Sequence, residues 1–521
     1  MRPGDGRPFS PFSLETTVIA LPLLQKIEQD GDSKPQPIII DIHLEYPGGR
    51  NLAKQWVLAK IREISGSDKF EKANSDKNAL SQQYLFGELT GRQIQELVRA
   101  DSVPGRRAAN EAQLRRAIYH IWPDFEIGPL ISRSVRTIKG DAAHASFSAM
   151  GEEIVWAVID SGVDGTHPHF QHWKNLDLSI EHRDFTGGGS PLTDEFGHGT
   201  HVAGILAGAA HVSSTAEPEP VIDRIRTISW QRNEAGEITP RIDETLQSIS
   251  GVAPKCKVLS LKVLGPEGKG RASNLIAALA YVLDVNGFGR RILIHGVNMS
   301  VGYGFEPKWF ACGQSPLCVE VDKVVRSGTV VVAAAGNTGF GSIQPDSVGP
   351  ASAGLGVTIN DPGNAQLAIT VGSTHRDMPH TYGVSYFSSK GPTGDGRLKP
   401  DLVAPGEKII SCATGRKKQE ANREVAAATV KEADAEAPQS GRAGNGAKRG
   451  KVAEYLEDSG TSMAAPHVSG AIAAFLSVRR EFIGQPERVK EIFVSTATDL
   501  QRERYFQGRG LIDLMRAIQS V

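Results

Sequence analysis

Three glycine-flanked segments far apart in the chain supply an Asp, a His and a Ser. They are residues 158–162 with Asp160, residues 197–201 with His198, and residues 460–466 with Ser462. Serine is a weak nucleophile unless an imidazole takes its proton, and a buried carboxylate keeps that imidazole in one tautomer. The sequence therefore predicts acyl-transfer chemistry, with Ser462 as nucleophile, His198 as base and Asp160 as the orienting carboxylate.

The elements around these residues must bring them to one place. Residues 154–159 form a continuous apolar run, which predicts a strand buried on both faces of a parallel sheet, with Asp160 at its carboxyl end. Apolar residues recur at helical spacing after His198 and after Ser462, so each is predicted to open a helix. In open α/β sheets, functional groups gather at the carboxyl ends of the strands.

Each motif alone also has a structural interpretation. Asp-Ser-Gly is typical of a turn, and Gly-Thr-Ser before an Ala-rich run is typical of a helix cap. A fourth segment, residues 331–337, offers the side-chain amide of Asn337 between the His and the Ser. The occurrence of all four segments in this order favours a catalytic site over four unrelated structural motifs. His201, three residues into the predicted helix, is interpreted as a packed structural histidine.

The order Asp, His, Ser, together with residues 331–337 and 460–466, resembles the subtilisin-like serine proteases (subtilases, peptidase family S8). The resemblance covers most of the chain after about Ser134. It implies an α/β fold of three layers with a mainly parallel sheet. It also implies a serine endopeptidase that works through an acyl-enzyme, with the Asn337 amide and the Ser462 backbone N–H as oxyanion donors.

The resemblance further implies a clamp that holds an extended polypeptide substrate as an added strand. Its two sides are Gly268, Lys269 and Gly270, and Ser300, Val301 and Gly302. Residues 360–363 would form the rim of the main specificity pocket. His167 and His169 could be read as metal ligands, but the resemblance puts them in the loop after the Asp160 strand, so no metal site is predicted.

The region before the catalytic domain has an organisation of its own. Residues 36–128 alternate strand-like and helix-like segments in the order β-α-β-α-β, with room for one more strand, and resemble the small ferredoxin-like α+β propeptide of subtilases. Residues 1–35 are predicted to be flexible, and residues 134–521 to form the catalytic domain. The resemblance implies that the N-terminal domain is an intramolecular inhibitor, removed by self-cleavage between about residues 126 and 134.

Two insertions interrupt the predicted catalytic domain, at about residues 209–250 and 415–452. The first replaces a loop that helps to bind calcium in secreted subtilisins, and no carboxylate spacing compensates for it. Calcium is therefore possible but unsupported, and no cofactor is expected. The second combines an Ala/Glu-rich helical piece with a basic Gly-rich tract and is predicted to be a mobile surface loop. The basic residues of this tract could contact nucleic acid, but the favoured interpretation is a run of charges exposed to solvent.

Composition limits the classes of protein to which the chain could belong. The chain has 521 residues, 40% of them hydrophobic and 22% charged, and a net charge of −1, which suits two domains and argues against binding nucleic acid or anionic membranes. The apolar run at residues 18–24 follows Glu15, contains Pro22 and does not resemble a signal peptide, so a cytoplasmic enzyme is expected, with secretion by another route as the alternative. No stretch is predicted to span a membrane.

The four cysteines divide into two kinds. Cys256 and Cys412 border apolar strands and are predicted to be buried thiols. Cys312 and Cys318 flank a short Pro-containing loop and are either bridged or reduced, with a local bridge or its latent form favoured. The alternative to an active protease is a catalytically silent scaffold that binds peptides in an inherited cleft, but this chain keeps the Ser, the His and the Asn that such a scaffold would be expected to lose.

Overall fold

The computed structural model describes residues 18–43, 45–73, 75–81, 83–102, 116–124, 133–212, 223–232, 236–308, 311–343, 351–436 and 452–521. The chain divides into two compact units, Met1–Ile127 and Gly128–Val521. This division lies close to the boundary that the sequence predicts between its N-terminal and catalytic domains.

The first unit is a small α+β structure. Its elements are α1 (Leu21–Asp30), β1 (Pro35–Ile42), α2 (Arg50–Ser65), α3 (Lys69–Ala73), α4 (Ser75–Leu80), β2 (Tyr84–Thr90), α5 (Gly91–Ser102) and β3 (Ile118–Pro123). The order β-α-β-α-β agrees with the prediction. Among the described residues its sheet has three antiparallel strands in the order β2-β1-β3, without the fourth strand for which the sequence left room.

The prediction of a flexible N-terminal segment is wrong for residues 18–34, which are ordered around helix α1. Helix α1 buries Leu23 and Ile27 in the core of this unit, and Ile19, just before the helix, is fully buried beside them. The chain therefore gains apolar burial here, which disfavours a mobile segment. Helix α5 begins after Thr90, because Thr90 and Gln93 exchange side-chain and backbone hydrogen bonds in a capping box.

The second unit is built on a parallel sheet. Its strands are β4 (Val155–Asp160), β5 (Arg183–Asp184), β6 (Ala209–His211), β7 (Ile225–Arg232), β8 (Ile238–Leu246), β9 (Ser248–Ser250), β10 (Lys257–Lys262), β11 (Gly296–Met299), β12 (Val330–Ala334), β13 (Phe340–Ile343), β14 (Ala351–Gly354), β15 (Ile369–His375), β16 (Leu402–Glu407), β17 (Ile409–Cys412) and β18 (Tyr455–Asp458). The main sheet has seven strands in the described residues, in the order β16-β15-β12-β11-β4-β10-β5, all paired in parallel.

Helices cover both faces of this sheet. The helices of the second unit are α6 (Arg133–Thr137), α7 (Gly140–Phe147), α8 (His198–Leu206), α9 (Ala272–Val285), α10 (Pro316–Arg326), α11 (Pro379–Tyr382), α12 (Gly415–Glu436), α13 (Thr461–Val478), α14 (Pro486–Thr496), α15 (Arg504–Gln507) and α16 (Leu514–Gln519). Of these, α12 packs on β8 and β18 rather than on the main sheet. Along β4, Trp156 and Val158 face a core that includes α8 and α13, whereas Ala157 and Ile159 face a core that includes α9 and α10. The continuous apolar run thus fills both faces of a three-layer α/β fold, as predicted.

The two insertions fold together rather than as loops. Strands β7 and β8 from the first insertion join β17 and β18 in a second sheet of order β17-β18-β7-β8. Helix α12, from the second insertion, packs beside them and buries Ala421. The prediction of a mobile surface loop is therefore wrong for residues 415–436. Residues 437–451, which hold the basic tract, lie outside the described residues, as do residues 213–222 and 233–235 of the first insertion.

Helix α13 passes through the interior of the second unit. By length and composition alone, Thr461–Val478 is apolar enough to cross a membrane, and within the described residues it is the one helix of that kind. Its apolar character matches its position, because 83% of this segment is buried inside the protein. It is a core helix with Ser462 in its first turn.

Candidate active site

Strand β4 and helix α8 bring a carboxylate and an imidazole together. Asp160 ends the strand, His198 begins the helix, and the Asp160 Oδ1 to His198 Nδ1 distance is 2.7 Å. Asp160 is fully buried and His198 is 14% exposed. Burial lowers the pKa of His198, but the charge and hydrogen bond of Asp160 outweigh it, so the pKa is raised above its ordinary value. A proton on Nδ1 satisfies this contact with Asp160, and Nε2 is then the ring nitrogen that can accept a hydrogen bond.

Asp194 ties the loop after Asp160 to the start of α8. Its carboxylate accepts hydrogen bonds from Ser161 Oγ at 2.8 Å, Gly197 N at 2.7 Å and Thr200 N at 2.9 Å. These bonds fix the turn on which His198 stands. The sequence interpretation missed Asp194, although an Asp shortly before a helix start is a recognisable capping signal.

Ser462 and Asn337 meet at the start of α13. The Ser462 hydroxyl donates to the carbonyl oxygen of Ser300 at 2.9 Å, and the Ser300 hydroxyl donates back to Ser462 O at 2.8 Å. Asn337 Oδ1 accepts from the Thr461 backbone N–H at 2.9 Å and from its hydroxyl at 3.0 Å. With Oδ1 engaged in this way, the Asn337 Nδ2 group remains available as a donor.

A cleft of about 650 Å³ brings the predicted site residues together. His198, Asn337 and Ser462 line it, whereas Asp160 is buried and reaches it only through His198. The lining includes both sides of the predicted clamp, namely Gly268, Lys269, Gly270, Ser300, Val301 and Gly302. Asn360 and Asp361 of the predicted pocket rim also line the cleft. Phe196, Leu264 and Tyr303 line it as well, and the sequence interpretation did not single them out.

The other histidines near the site bond to the protein backbone. His201 is fully buried and its Nε2 lies 3.1 Å from Leu456 O, as expected for a structural histidine. His167 Nε2 lies 3.0 Å from Glu454 O, and His169 Nε2 lies 3.2 Å from Gly204 O. Within the described residues, no group of three or more His, Cys, Asp or Glu side chains could hold a metal ion.

All four cysteines are free thiols and buried. The favoured bridge between Cys312 and Cys318 is therefore wrong. Cys318 lies inside α10, in the core next to Leu317, and burial raises the pKa of its thiol. An inert buried thiol matches this position. Cys256 and Cys412 are buried as predicted.

A parallel α/β sheet that carries Asp, His and Ser at one site, in that chain order, has the architecture of a serine hydrolase of the subtilisin type. The model of the subtilase family matches residues 151–510. The chain belongs to the subtilase family.

Several relatives agree with this assignment. Subtilisin E of Bacillus subtilis (strain 168) is 28% identical over 401 residues, which cover 76% of this chain and 73% of that relative. Serine protease AprX of the same strain is 26% identical over 374 residues, covering 70% of this chain and 67% of AprX. Pyrolysin of Pyrococcus furiosus is 29% identical over 360 residues, which are 62% of this chain but only 21% of pyrolysin. The protein is thus a serine endopeptidase, a hydrolase that acts on polypeptides.

Proposed function

We propose that the protein cleaves extended polypeptides with Ser462 as nucleophile, His198 as general base and Asp160 as the group that orients His198. Ser462 Oγ attacks the scissile carbonyl carbon while His198 Nε2 takes its proton, and His198 then protonates the leaving amine. The acyl-enzyme is hydrolysed when His198 activates a water molecule in the same way. These steps use only side chains and water, without a cofactor.

The serine must rotate before it attacks. Among the described residues no hydrogen bond joins Ser462 Oγ to His198, because the hydroxyl donates to Ser300 O instead. Rotation about χ1 turns the hydroxyl toward the imidazole, and staggered side-chain rotamers of an accessible serine interconvert rapidly. An arriving substrate that occupies the Ser300 segment would favour this change.

The oxyanion of the tetrahedral intermediate needs donors that are already in place. We assign Asn337 Nδ2 and the Ser462 backbone N–H to this role. The Asn337 amide is held by Thr461, and the Ser462 N–H lies in the first turn of α13, at the positive end of the helix dipole. Oriented dipoles of this kind are commonly the largest electrostatic contribution to acyl transfer.

The observation that carries the proposal is the 2.7 Å contact between Asp160 and His198 in a cleft that Ser462 and Asn337 also line. A catalytically silent peptide-binding scaffold is the alternative. It would keep the cleft and the peptide clamp but would have no reactive serine.

Labelling with a fluorophosphonate probe separates the two functions. The probe phosphonylates a serine only when its base and oxyanion donors are assembled. We expect the wild-type protein to be labelled, the Ser462→Ala variant to remain unlabelled, and Ser459→Ala, an exposed serine three residues away, to behave as wild type. Absence of label on wild type, after limited proteolysis as well, would refute the proposed catalytic role and favour the scaffold.

We further propose that the N-terminal unit is an inhibitory propeptide. The support is its α+β order, its own apolar core and its position before the family-matched region. The predicted cleavage window, residues 126–134, lies mainly outside the described residues.

A further inference from the structure

The N-terminal end of the inserted helix α12 is bonded to the segment that carries His198. Arg416 N donates to Glu195 O at 2.7 Å, and Lys417 N donates to Phe196 O at 3.2 Å. Glu195 and Phe196 come immediately before the Gly197–His198 turn. The insertion thus touches the catalytic segment directly.

An ion pair lies where this helix meets strand β18. Lys417 Nζ pairs with Asp458 Oδ2, and each side chain is 25% exposed. Lys417 Nζ also lies 5.9 Å above the ring of Phe196, whose centroid is 6.5 Å from that of the His198 imidazole. Two opposite charges therefore stand beside the proposed base.

Each element around His198 contributes its charged groups. Asp160 comes from β4, Asp458 from β18 and Lys417 from α12, and all three act electrostatically on His198. His201, one turn further along α8, is kept neutral because burial lowers its pKa to about 4. Glu195 is paired with Lys262. Asp458 stays ionised, because burial raises its pKa but the charge and hydrogen bond of Lys417 outweigh burial and lower it.

We propose that Lys417 and Asp458 are positioning residues for the general base, because Lys417 neutralises Asp458 beside His198 and, with Phe196, holds the segment that carries the imidazole. An unpaired Asp458 would stabilise the imidazolium, which cannot accept the serine proton. An unpaired Lys417 would oppose the positive charge that His198 must carry in the transition state. This inference rests on the proposed role of His198.

The pH dependence of kcat/KM on a small peptide substrate tests the proposal with the active enzyme as purified. We expect Lys417→Met to raise the apparent pKa of the acid limb by about half a unit, which is about a threefold loss of kcat/KM below that pKa. Asp458→Asn should lower the apparent pKa by a similar amount, and the double variant should return it close to wild type. The apparent pKa rises in Lys417→Met because the negative charge of Asp458 is left unpaired. It falls in Asp458→Asn because the positive charge of Lys417 is left unpaired.

Lys255→Met provides a matched control. Lys255 pairs with Glu152 at 3.2 Å, just before the amino ends of β10 and β4, so the same charge change is made at the opposite end of the sheet from His198. The control should leave the acid limb unchanged. Equal shifts in Lys255→Met and Lys417→Met, or no shift in either active-site variant, would overturn the proposal.

A second measurement does not depend on turnover. In the Ser462→Ala background, NMR titration of protein labelled with [13Cε1]histidine follows His198 itself, assigned by comparison with His198→Gln. We expect the pKa of His198 to rise in Lys417→Met and to fall in Asp458→Asn, as in the kinetic measurement. If wild type is not labelled by fluorophosphonate but His198 titrates as predicted, the proposed function fails and the electrostatic pairing stands. If labelling succeeds and the titration does not move, the pairing is refuted alone.

Discussion

At the scale of single residues, the site depends on side chains that are held in place by hydrogen bonds to the rest of the protein. His198 uses Nδ1 for Asp160, Asn337 uses Oδ1 for Thr461, and Asp194 holds the turn before His198. In His198 and Asn337, the engaged atom leaves the opposite atom of the same group available to the cleft that both residues line. Such preorganisation avoids reorientation when charge develops.

Replacement of Asn337 tests this arrangement. Asn337→Ala removes the proposed side-chain oxyanion donor but leaves the Ser462 backbone N–H, so turnover should fall while the triad remains reactive. Removal of the corresponding donor from subtilisin costs roughly 100- to 1,000-fold in turnover, and we expect a similar loss here. Steady-state kinetics would show a lower kcat with little change in KM. A variant with near-normal kcat would exclude Asn337 from the oxyanion site.

At the scale of elements, three buried histidines join the inserted sheet to the catalytic layer. His167, His169 and His201 contact Glu454, Tyr455 and Leu456, respectively, at the start of β18. A carbonyl oxygen only accepts, so His167 carries its proton on Nε2, and its Nδ1 accepts from His169 N at 3.3 Å. Protonation of Nδ1 would therefore set two donors against each other.

These contacts predict a loss of stability in acid. Burial lowers the pKa of His167 to about 4, of His169 to about 3 and of His201 to about 4. The unfolded chain, with histidine pKa values near 6.5, binds more protons below that pH, so the effect of these three histidines on stability is absent above about pH 6.5 and becomes increasingly destabilising as pH decreases toward 4. One such histidine contributes about 3 kcal/mol across this window.

Thermal unfolding between pH 7 and 4.5, in the Ser462→Ala background to avoid self-digestion, measures the effect. His167→Gln keeps a donor for Glu454 O but cannot be protonated, so its Tm should depend less on pH than that of the parent. His380→Gln, at an exposed histidine, is the control. Parallel Tm curves for the parent and His167→Gln would contradict the assignment.

The same elements show what could be predicted from the sequence. Strand β4 is recognisable because both of its faces are buried, which requires an unbroken apolar run ending at Asp160. The fold of the insertions was not recognisable, because β18 pairs Tyr455 with Thr227, more than two hundred residues away. Strand β8 gave no apolar alternation either, since only Leu246 at its end is buried. No sequence motif marks Lys417 or Asp458 as a neighbour of His198, because only the tertiary structure brings them together.

At the scale of the whole molecule, the chain consists of two units with separate apolar cores. The first core is formed by residues of Met1–Ile127 alone, and includes Ile19, Leu23 and Ile40. The cores on the two faces of the main sheet are formed by residues of the second unit alone. Cleavage between the units would therefore leave both sets of core contacts intact, as release of a propeptide requires.

Self-processing is the prediction at this scale. If Ser462 cuts its own chain, purified wild type should lack the first unit and carry a new N-terminus within residues 126–134, because the proposed clamp binds polypeptide as an added strand. Ser462→Ala should remain a single full-length chain, and Ser459→Ala should be processed like wild type. Intact mass and N-terminal sequencing measure both outcomes. Loss of the unit from Ser462→Ala would indicate another protease, whereas full-length wild type that is nonetheless labelled by fluorophosphonate would make the N-terminal unit a permanent part of the enzyme.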